Sequence, residues 1–522
     1  SLEILTGSGI KTMLRMGDTL TGRRILVCTS DQNRYIPSGF FKNRADRSCT
    51  VGSPRHRSSR VIFTSFSYLY LLVVVLALYW TVRNRTLQNL LLLISSYLFY
   101  GWIHPWFCFL IASSTLIDYL CGLGMEKHSR LKKRFLIVSL VSNLGLLGTF
   151  KYFNFFTDNA YQVLTALGFH PHTMSLRIFL PVGISFYTFQ TLSYTIDIYR
   201  GKLKPRRNLL DFAVFVSFFP QLVAGPIERA VRFLPQVERP RFLSMRQVEE
   251  AWPLLVRGYL KKLVIADNAA VYADKVFMYA HPSLPLLTAG TLAFTLQILS
   301  DFSAYTDIAR GSAKLLGFEL IENFRSPYLA ISPSDFWRRW HISFSTWIRD
   351  YLYIPLGGSR VATFGRYAFV VAATMTLSGL WHGAAWNFII WGFYHGVLLL
   401  AYHRLGLAGR WRPSTFWTAA VAWAAMFFFT IFGWLIFRAP DLSWLMDCLT
   451  HLSWQFGEAS FLVSLQICLF ILFYSIPLLL FLYLDRRLPA KKWIHSIAYG
   501  LCLFAIVLLF QEAGQDFIYF QF

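Results

Sequence analysis

Long apolar runs, separated by short polar connections, dominate the chain from Val61 onwards. The first of them, 61–80, has 20 residues without a charged side chain, and a helix of about 20 residues is long enough to cross the hydrocarbon core of a bilayer. Because lipid offers no partners to unpaired backbone groups, we expect each run to form a helix. The pattern predicts an all-α, polytopic integral membrane protein with about a dozen helices. The other candidate spans lie near 87–103, 105–123, 135–155, 178–198, 209–226, 252–270, 287–308, 367–381, 384–402, 415–437, 461–484 and 493–510.

The connections between these runs alternate in charge. Basic clusters occur at 83–85, 127–134, 200–207, 404–412 and 486–492. The intervening connections near 104, 156–177 and 438–460 contain few lysines or arginines. Since loops rich in Lys and Arg stay in the cytoplasm, the alternation places the basic clusters on the cytoplasmic side.

The composition excludes most other classes of protein. Of 522 residues, 55% are hydrophobic and only 15% are charged, whereas a soluble domain carries roughly 25% charged residues. The net charge of +23 lies in short loops that flank apolar runs, which favours membrane topology over nucleic acid as its cause. The seven cysteines show no paired CxxC spacing, so neither a metal site nor a disulfide framework is predicted.

Residues 1–60 differ from the rest of the chain. They have an excess of basic over acidic residues, scattered Gly, Ser and Pro, and no long apolar run. The first span would begin outside the cell, which would place this basic segment outside as well, against the positive-inside rule. We therefore expect 1–60 to be disordered or an extension outside the functional protein, and 61–522 to form the functional domain.

A polar stretch at 318–366 interrupts the apolar pattern. Its centre, 334–353, has the spacing of an aromatic amphipathic helix, because Trp337, Trp340, Phe344 and Trp347 recur at steps of three and four residues. Composition alone favours a helix lying at the membrane interface, whereas the presence of His341 in the stretch favours a functional role.

Two histidines in unusual surroundings are the candidates for chemistry. His382 lies among small and apolar residues in TLSGLWHGAAW, and His341 lies in the polar stretch. An ionisable residue at membrane depth is costly and indicates function by default. Apolar surroundings disfavour the charged imidazolium, which leaves a neutral ring able to act as a base. A packing role remains the alternative, and we expect His395, near the end of the same region, to be structural.

The intramembrane acids have a simpler interpretation. Asp301 and Asp307 precede the polar stretch and could pair with Arg338 or Arg339, or line a polar cavity; pairing is the expected role. The chain has no GxSxG, Walker A or HExxH motif. A covalent acyl-serine mechanism therefore lacks its usual sequence context.

Several segments together resemble one family, the membrane-bound O-acyltransferase superfamily, and within it the bacterial alginate O-acetylase branch. The resemblance covers roughly 61–522. It rests on SSYLFYGW (95–102), FKYFNFF (150–156), LPVGISFYTFQTLSYTIDIYRG (180–201), FFPQLVAGPIER (218–229), DFSAYTDIARGSAKLLGFELIENFRSPY (301–328), FWRRWHISFSTWIRDYLYIPLGGSR (336–360), SGLWHGAAWNFIIWG (378–392), FGWLIFRA (432–439) and FIYFQF (517–522).

The resemblance implies a site and a fold. The WHG histidine of the family is catalytic, which implies His382, and the RWH histidine implies His341 as the second signature position. Around them the resemblance suggests a substrate-binding set of Trp340, Arg338, Asp335, Trp381 and Asn387. The implied fold is a ring of helices around a central funnel or tunnel that reaches the histidine from both sides.

The implied reaction is O-acyl transfer, most simply O-acetyl transfer. The expected donor is a cytoplasmic thioester, acetyl-CoA, with no bound cofactor and no metal. The expected acceptor is a hydroxyl of an exported polysaccharide such as alginate, reached through an extracytoplasmic acetyltransferase partner. The expected location is the bacterial inner membrane.

Two other functions remain open from the residues alone. A proton-coupled transporter or flippase could use the histidines and intramembrane acids as a path, although no inverted repeat is visible. A non-catalytic membrane scaffold would tolerate replacement of both histidines.

Overall fold

A computed structural model describes residues 3–5, 11–13, 63–170, 178–223, 225–407, 413–451, 457–476, 479–480, 492–509 and 517–518. The chain divides into two units, 1–59 and 60–522. In the first unit the described residues are two antiparallel strands, β1 (Glu3–Leu5) and β2 (Lys11–Met13). The expectation of a disordered or extraneous segment 1–60 otherwise falls on residues outside the described ones, and it stays a prediction.

Helices and their connections make up all of the described part of the second unit, so the all-α prediction is confirmed there. The helices are α1 (Phe66–Thr81), α2 (Arg85–Ile103), α3 (Phe107–Lys127), α4 (Lys132–Leu147), α5 (Phe153–Ala166), α6 (Ile184–Tyr199), α7 (Leu209–Ser217), α8 (Phe219–Leu222), α9 (Ala230–Glu238), α10 (Met245–Tyr259), α11 (Asp267–Phe277), α12 (Leu284–Leu315), α13 (Pro333–Arg339), α14 (Ile342–Ile348), α15 (Phe364–His382), α16 (Trp386–Arg404), α17 (Phe416–Arg438), α18 (Leu442–Thr450), α19 (Glu458–Leu469) and α20 (Lys492–Leu509). Short π-helical segments extend or join several of them, among them Gly148–Tyr152 and Arg349–Tyr353.

Four helical stretches among the described residues are long and apolar enough to cross a bilayer: Phe107–Lys127, Ser129–Ala166, Leu284–Leu315 and Phe416–Arg438. Three shorter apolar helices lie at Phe66–Thr81, Ser460–Phe473 and Ile497–Leu508. Many of their large apolar side chains point outward, as lipid requires. The protein is therefore a multi-pass membrane protein.

Two of the expected spans have a different form. The segment 209–226 is not one helix, because α7 and α8 are separated by a break at Phe218, and α9, which follows them, packs against α7. The segment 252–270 contains the end of the amphipathic α10, a π-helical segment and the start of α11. Apolar composition alone does not show where a helix is interrupted.

α12 runs through the centre of the second unit, and most of its side chains are buried. Two acids on it are ion-paired with lysines of the preceding π-helical segment: Asp307 with Lys261 at 2.7 Å, and Asp301 with Lys262 at 3.0 Å. Pairing was the expected role of these acids, but Arg338 and Arg339 were the wrong partners. The lysines of KKLVIAD reach α12 because both elements pack side by side.

Contacts bring three of the predicted cytoplasmic clusters to one end of the second unit, here called the basic end. Arg85 contacts Asp211 at 3.2 Å, and Arg207 contacts Glu126 at 3.8 Å, beside the 127–134 cluster. Arg200 donates to the Asp350 carbonyl at 3.0 Å, which attaches the polar stretch to the same end. The clusters at 408–412 and 486–491 lie outside the described residues.

The single amphipathic helix expected over 334–353 is wrong. The stretch forms α13, a break at Trp340–His341, α14 and a π-helical turn. The aromatic stripe is split accordingly: the Trp340 ring packs 4.8 Å from Trp434, whereas Trp347 stacks 3.9 Å from Phe189. The break contains neither Pro nor Gly, so the usual signal for it is missing.

Candidate active site

Two glycines place His382 at the tip of a tight helical hairpin. A Cβ added to Gly379 of α15 would lie 2.1 Å from the Phe388 carbonyl oxygen, and one added to Gly392 of α16 would lie 2.2 Å from the Met375 carbonyl oxygen. The two backbones are therefore in direct contact. α15 ends at His382, next to the turn into α16.

His341 occupies the break between α13 and α14 in a left-handed conformation, with φ 42° and ψ 56°. Its side chain makes no capping hydrogen bond to α14. The first N–H groups of α14 bond to Asn323 instead: Ile342 N–H donates to its carbonyl and Ser343 N–H to its Oδ1, each at 3.0 Å. Because Asn323 caps the helix, the imidazole of His341 is available to face the interior.

The two imidazoles lie close together in an aromatic enclosure, with ring centroids 6.5 Å apart. His341 is fully buried and His382 is 3% exposed. Phe344 forms a shared wall, 5.1 Å from the His341 ring and 5.4 Å from the His382 ring. Among the described residues, neither ring nitrogen of His341 has a hydrogen-bond partner. The remaining rings of the enclosure are Phe302, Trp381, Trp391 and Phe437.

A cavity of about 220 Å³ approaches this pair from the basic end. One row of α15 lines it, at spacings of three and four residues: Tyr367, Val371, Thr374 and Ser378. His382 is the next position of that row, one turn beyond Ser378. Phe344 also lines the cavity, and so separates it from the histidines. Arg349 and Tyr353 lie at its basic end.

A second cavity, of about 390 Å³, lies at the other end of the hairpin. Its lining includes Lys151, Asn387, Phe388 and Arg438. Phe388 packs against Gly383, the residue after His382, since a Cβ there would lie 2.1 Å from its ring. His382 thus lies between two cavities, and its own side chain lines neither of them.

The other predicted site residues divide into two groups. Trp381 is part of the enclosure, 5.9 Å from the His341 ring, and Asn387 lines the second cavity while donating to the carbonyls of Phe437 and Ala439. Trp340, Arg338 and Asp335 line neither cavity. Trp340 is packed in the core, Arg338 is exposed, and Asp335 pairs with Arg339 at 3.0 Å.

His395 is outside the pair, but it packs against Trp391, a ring that also contacts His382. Its ring packs 4.8 Å from Trp391 and 5.2 Å from Trp337. A buried imidazole with ring contacts of this kind fits the structural role expected for it.

Three residues that hold the site were missed from the sequence: Asn323, Lys151 and Tyr152. Lys151 donates to the carbonyls of Trp381 and His382, and Tyr152 donates to that of Leu380. A lysine inside the apolar run 135–155 was an available signal, because such residues are rare at membrane depth. Asn323 gives no comparable signal, since a polar residue in a polar stretch is ordinary.

The fold and the site define a multi-pass membrane protein with a buried histidine pair between two cavities. Comparison with known proteins gives this class its family. The model of the MBOAT, membrane-bound O-acyltransferase family, matches residues 203–440. A Pseudomonas aeruginosa protein named "Probable alginate O-acetylase AlgI" is 41% identical over 77% of this chain and 75% of its own length.

Two further relatives have other named activities. The Helicobacter pylori "Peptidoglycan O-acetyltransferase" is 35% identical over 69% of this chain and 72% of its own length. The Bacillus subtilis "Teichoic acid D-alanyltransferase" is 28% identical over 51% of this chain and 71% of its own length. The chain belongs to the membrane-bound O-acyltransferase family, and it is an acyltransferase. The predicted family and enzyme class are confirmed.

Proposed function

We propose that this protein is an O-acetyltransferase of the bacterial inner membrane that serves the acetylation of an exported polysaccharide, with alginate the first candidate. The names of the most similar relatives support acetyl as the group and a cell-surface polymer as the acceptor. The donor is a cytoplasmic thioester, acetyl-CoA. The arginines around the basic end suit its phosphates, because guanidinium groups bind phosphate oxygens well.

The reaction requires a base, and His382 supplies it. Its imidazole takes the proton of an acceptor hydroxyl while the hydroxyl oxygen attacks the thioester carbonyl. The new C–O bond forms, the C–S bond breaks, and the proton passes to the departing thiolate. His341 donates a hydrogen bond to the oxyanion or orients the donor. Its ring nitrogens suit this role, because neither has a hydrogen-bond partner among the described residues.

One observation carries this proposal: His382 continues the row of α15 that lines the cavity from the basic end, with His341 6.5 Å away. The second cavity lies on the other side of His382, where an acceptor can approach. We propose that the acceptor hydroxyl belongs to an extracytoplasmic acetyltransferase, which passes the acetyl group to the polymer. We propose substrate contacts for Trp381, which is part of the enclosure, and for Asn387, which lines the second cavity. A substrate role for Trp340, Arg338 and Asp335 likewise stays a prediction.

Replacing each of two buried histidines by glutamine tests the proposal. In membranes supplied with labelled acetyl-CoA and acceptor, His382→Gln is expected to lower transfer by about 10²–10⁴-fold, the usual loss for a general base. His395→Gln is the matched control, because it changes a buried imidazole outside the pair, and it is expected to keep most activity. Wild-type transfer by His382→Gln, or an equal loss in His395→Gln at equal protein levels, would contradict the assignment.

A further inference from the structure

The helix that carries His382 ends without the usual means of satisfying its last carbonyls. An α-helix leaves its final carbonyl groups without intrahelical partners, and a left-handed residue after the helix often turns the chain back to bond them. At the end of α15, Gly383 is instead extended, with φ −160° and ψ 152°. The carbonyls of Leu380, Trp381 and His382 must therefore find partners elsewhere.

Two consecutive residues of the π-helical segment Gly148–Tyr152 provide those partners. The Lys151 ammonium donates to the carbonyl of Trp381 and, at 3.3 Å, to that of His382. Tyr152 OH donates to the Leu380 carbonyl at 3.0 Å. Three successive carbonyls, the last of them belonging to His382 itself, are thus held from one neighbouring segment. A single-turn π-helix inside a longer helix frequently marks a functional site.

The positive charge of Lys151 is better explained by an interaction with the helix end than by a general role in packing. A cation at a helix C-terminus interacts favourably with the partial negative charge of the terminal carbonyls. Lys151 is in no ion pair with a carboxylate among the described residues. Its other contacts are Ser185 Oγ at 3.4 Å and the Trp381 ring, whose centroid is 5.6 Å from the ammonium. A lysine within an apolar span is costly and requires such partners. Apolar side chains would pack there at lower cost, so the ammonium serves the helix end.

We propose that Lys151 is a positioning residue for His382, which fixes the end of α15 so that the imidazole stays next to His341 and in line with the cavity from the basic end. This role rests on the proposed function of His382. Lys151 also lines the second cavity, so it holds the helix end at the point where that cavity begins. Misplacing a catalytic group by about 1 Å can cost about 10²-fold in rate.

Steady-state kinetics of Lys151→Met and Lys151→Arg in membranes test this role. Methionine keeps the length of the side chain and removes the donor, and kcat is expected to fall about 10²-fold while the KM for acetyl-CoA stays within about 2-fold. Arginine restores a cationic donor, and Lys151→Arg is expected to recover much of the lost kcat. Lys275→Met removes an exposed lysine that lines neither cavity and is expected to behave as wild type.

Tyr152→Phe keeps the test decisive if Lys151→Met does not accumulate. It removes one hydrogen bond to the same helix end, and a several-fold lower kcat with unchanged KM is expected. The proposal is overturned by an unchanged kcat in either variant, or by a lower melting temperature with normal kcat per folded molecule, which indicates stability alone. Loss of activity in Lys151→Met but not in His382→Gln overturns the proposed function instead, so the two failures are distinguishable.

Discussion

His341 combines a strained backbone with a side chain that its own helix does not use. A left-handed backbone costs a residue with a Cβ about 1–2 kcal/mol, and such strain is concentrated at functional sites. The bonds from Ile342 and Ser343 to Asn323 hold the conformation in place. The strain is consistent with a requirement for the imidazole at this point, between Phe302 and Phe344.

Replacing His341 separates strain from chemistry. Glycine tolerates the left-handed conformation better than alanine does. The free energy of unfolding of His341→Gly is therefore expected to exceed that of His341→Ala by about 1 kcal/mol, and His341→Gly is expected to unfold at a higher temperature. Both variants are expected to lose most acetyl transfer. Thermal unfolding of the purified proteins in detergent, with transfer assays on the same samples, measures both effects. Equal stability of the two variants would show that the backbone at 341 is not strained.

The juxtaposition of His341 and His382 could not be derived from the residues alone. They are far apart in the sequence, and only the resemblance to a family implied that they share a site. The depth of each histidine and the small residues around His382 were visible in the sequence. The contact itself depends on the break at Trp340–His341, where the sequence has no proline or glycine to indicate it.

At the scale of elements, the α15–α16 hairpin was predicted well from the sequence. Both helices were expected at nearly their observed positions, because each is a long apolar run with small residues at the contact. The breaks within 334–353 and within 209–226 were missed, since periodicity does not show where a helix is interrupted. The capping of α15 by Lys151 and Tyr152 is a tertiary contact, and the local sequence pattern of α15 does not indicate which residues bond to its last carbonyls.

Gly379→Ala tests the close packing of this hairpin. The added Cβ would lie 2.1 Å from the Phe388 carbonyl, which is backbone and cannot move aside cheaply. We expect α15 and α16 to separate, with a loss of stability of about 1–3 kcal/mol and a large loss of transfer because His382 shifts. Gly145→Ala on α4 is the control: its Cβ meets nothing within 4 Å, and no loss is expected. Normal activity in Gly379→Ala would show that the hairpin tolerates separation.

At the scale of the whole molecule, basic clusters and one cavity lie at one end of the second unit, and the second cavity lies at the other end of the hairpin. The proposed function requires this order, because donor and acceptor approach His382 from opposite sides. The basic clusters that contain Arg85, Arg200 and Arg207 lie at one end, together with the cavity lined by α15. The second cavity begins at the opposite end of the hairpin. Composition and loop charges predicted the membrane class and the basic end, whereas the cavities depend on packing that no single run of sequence specifies.

The most direct test of the account is a structure of the protein with a non-hydrolysable thioether analogue of acetyl-CoA. The analogue is expected to enter from the basic end, displace the Phe344 ring, and place its carbonyl about 3 Å from a ring nitrogen of His382. Its phosphates are expected near Arg349. An analogue bound elsewhere, with His382 still enclosed by Phe344, Trp391 and Phe437, would contradict the claim that this imidazole performs the transfer.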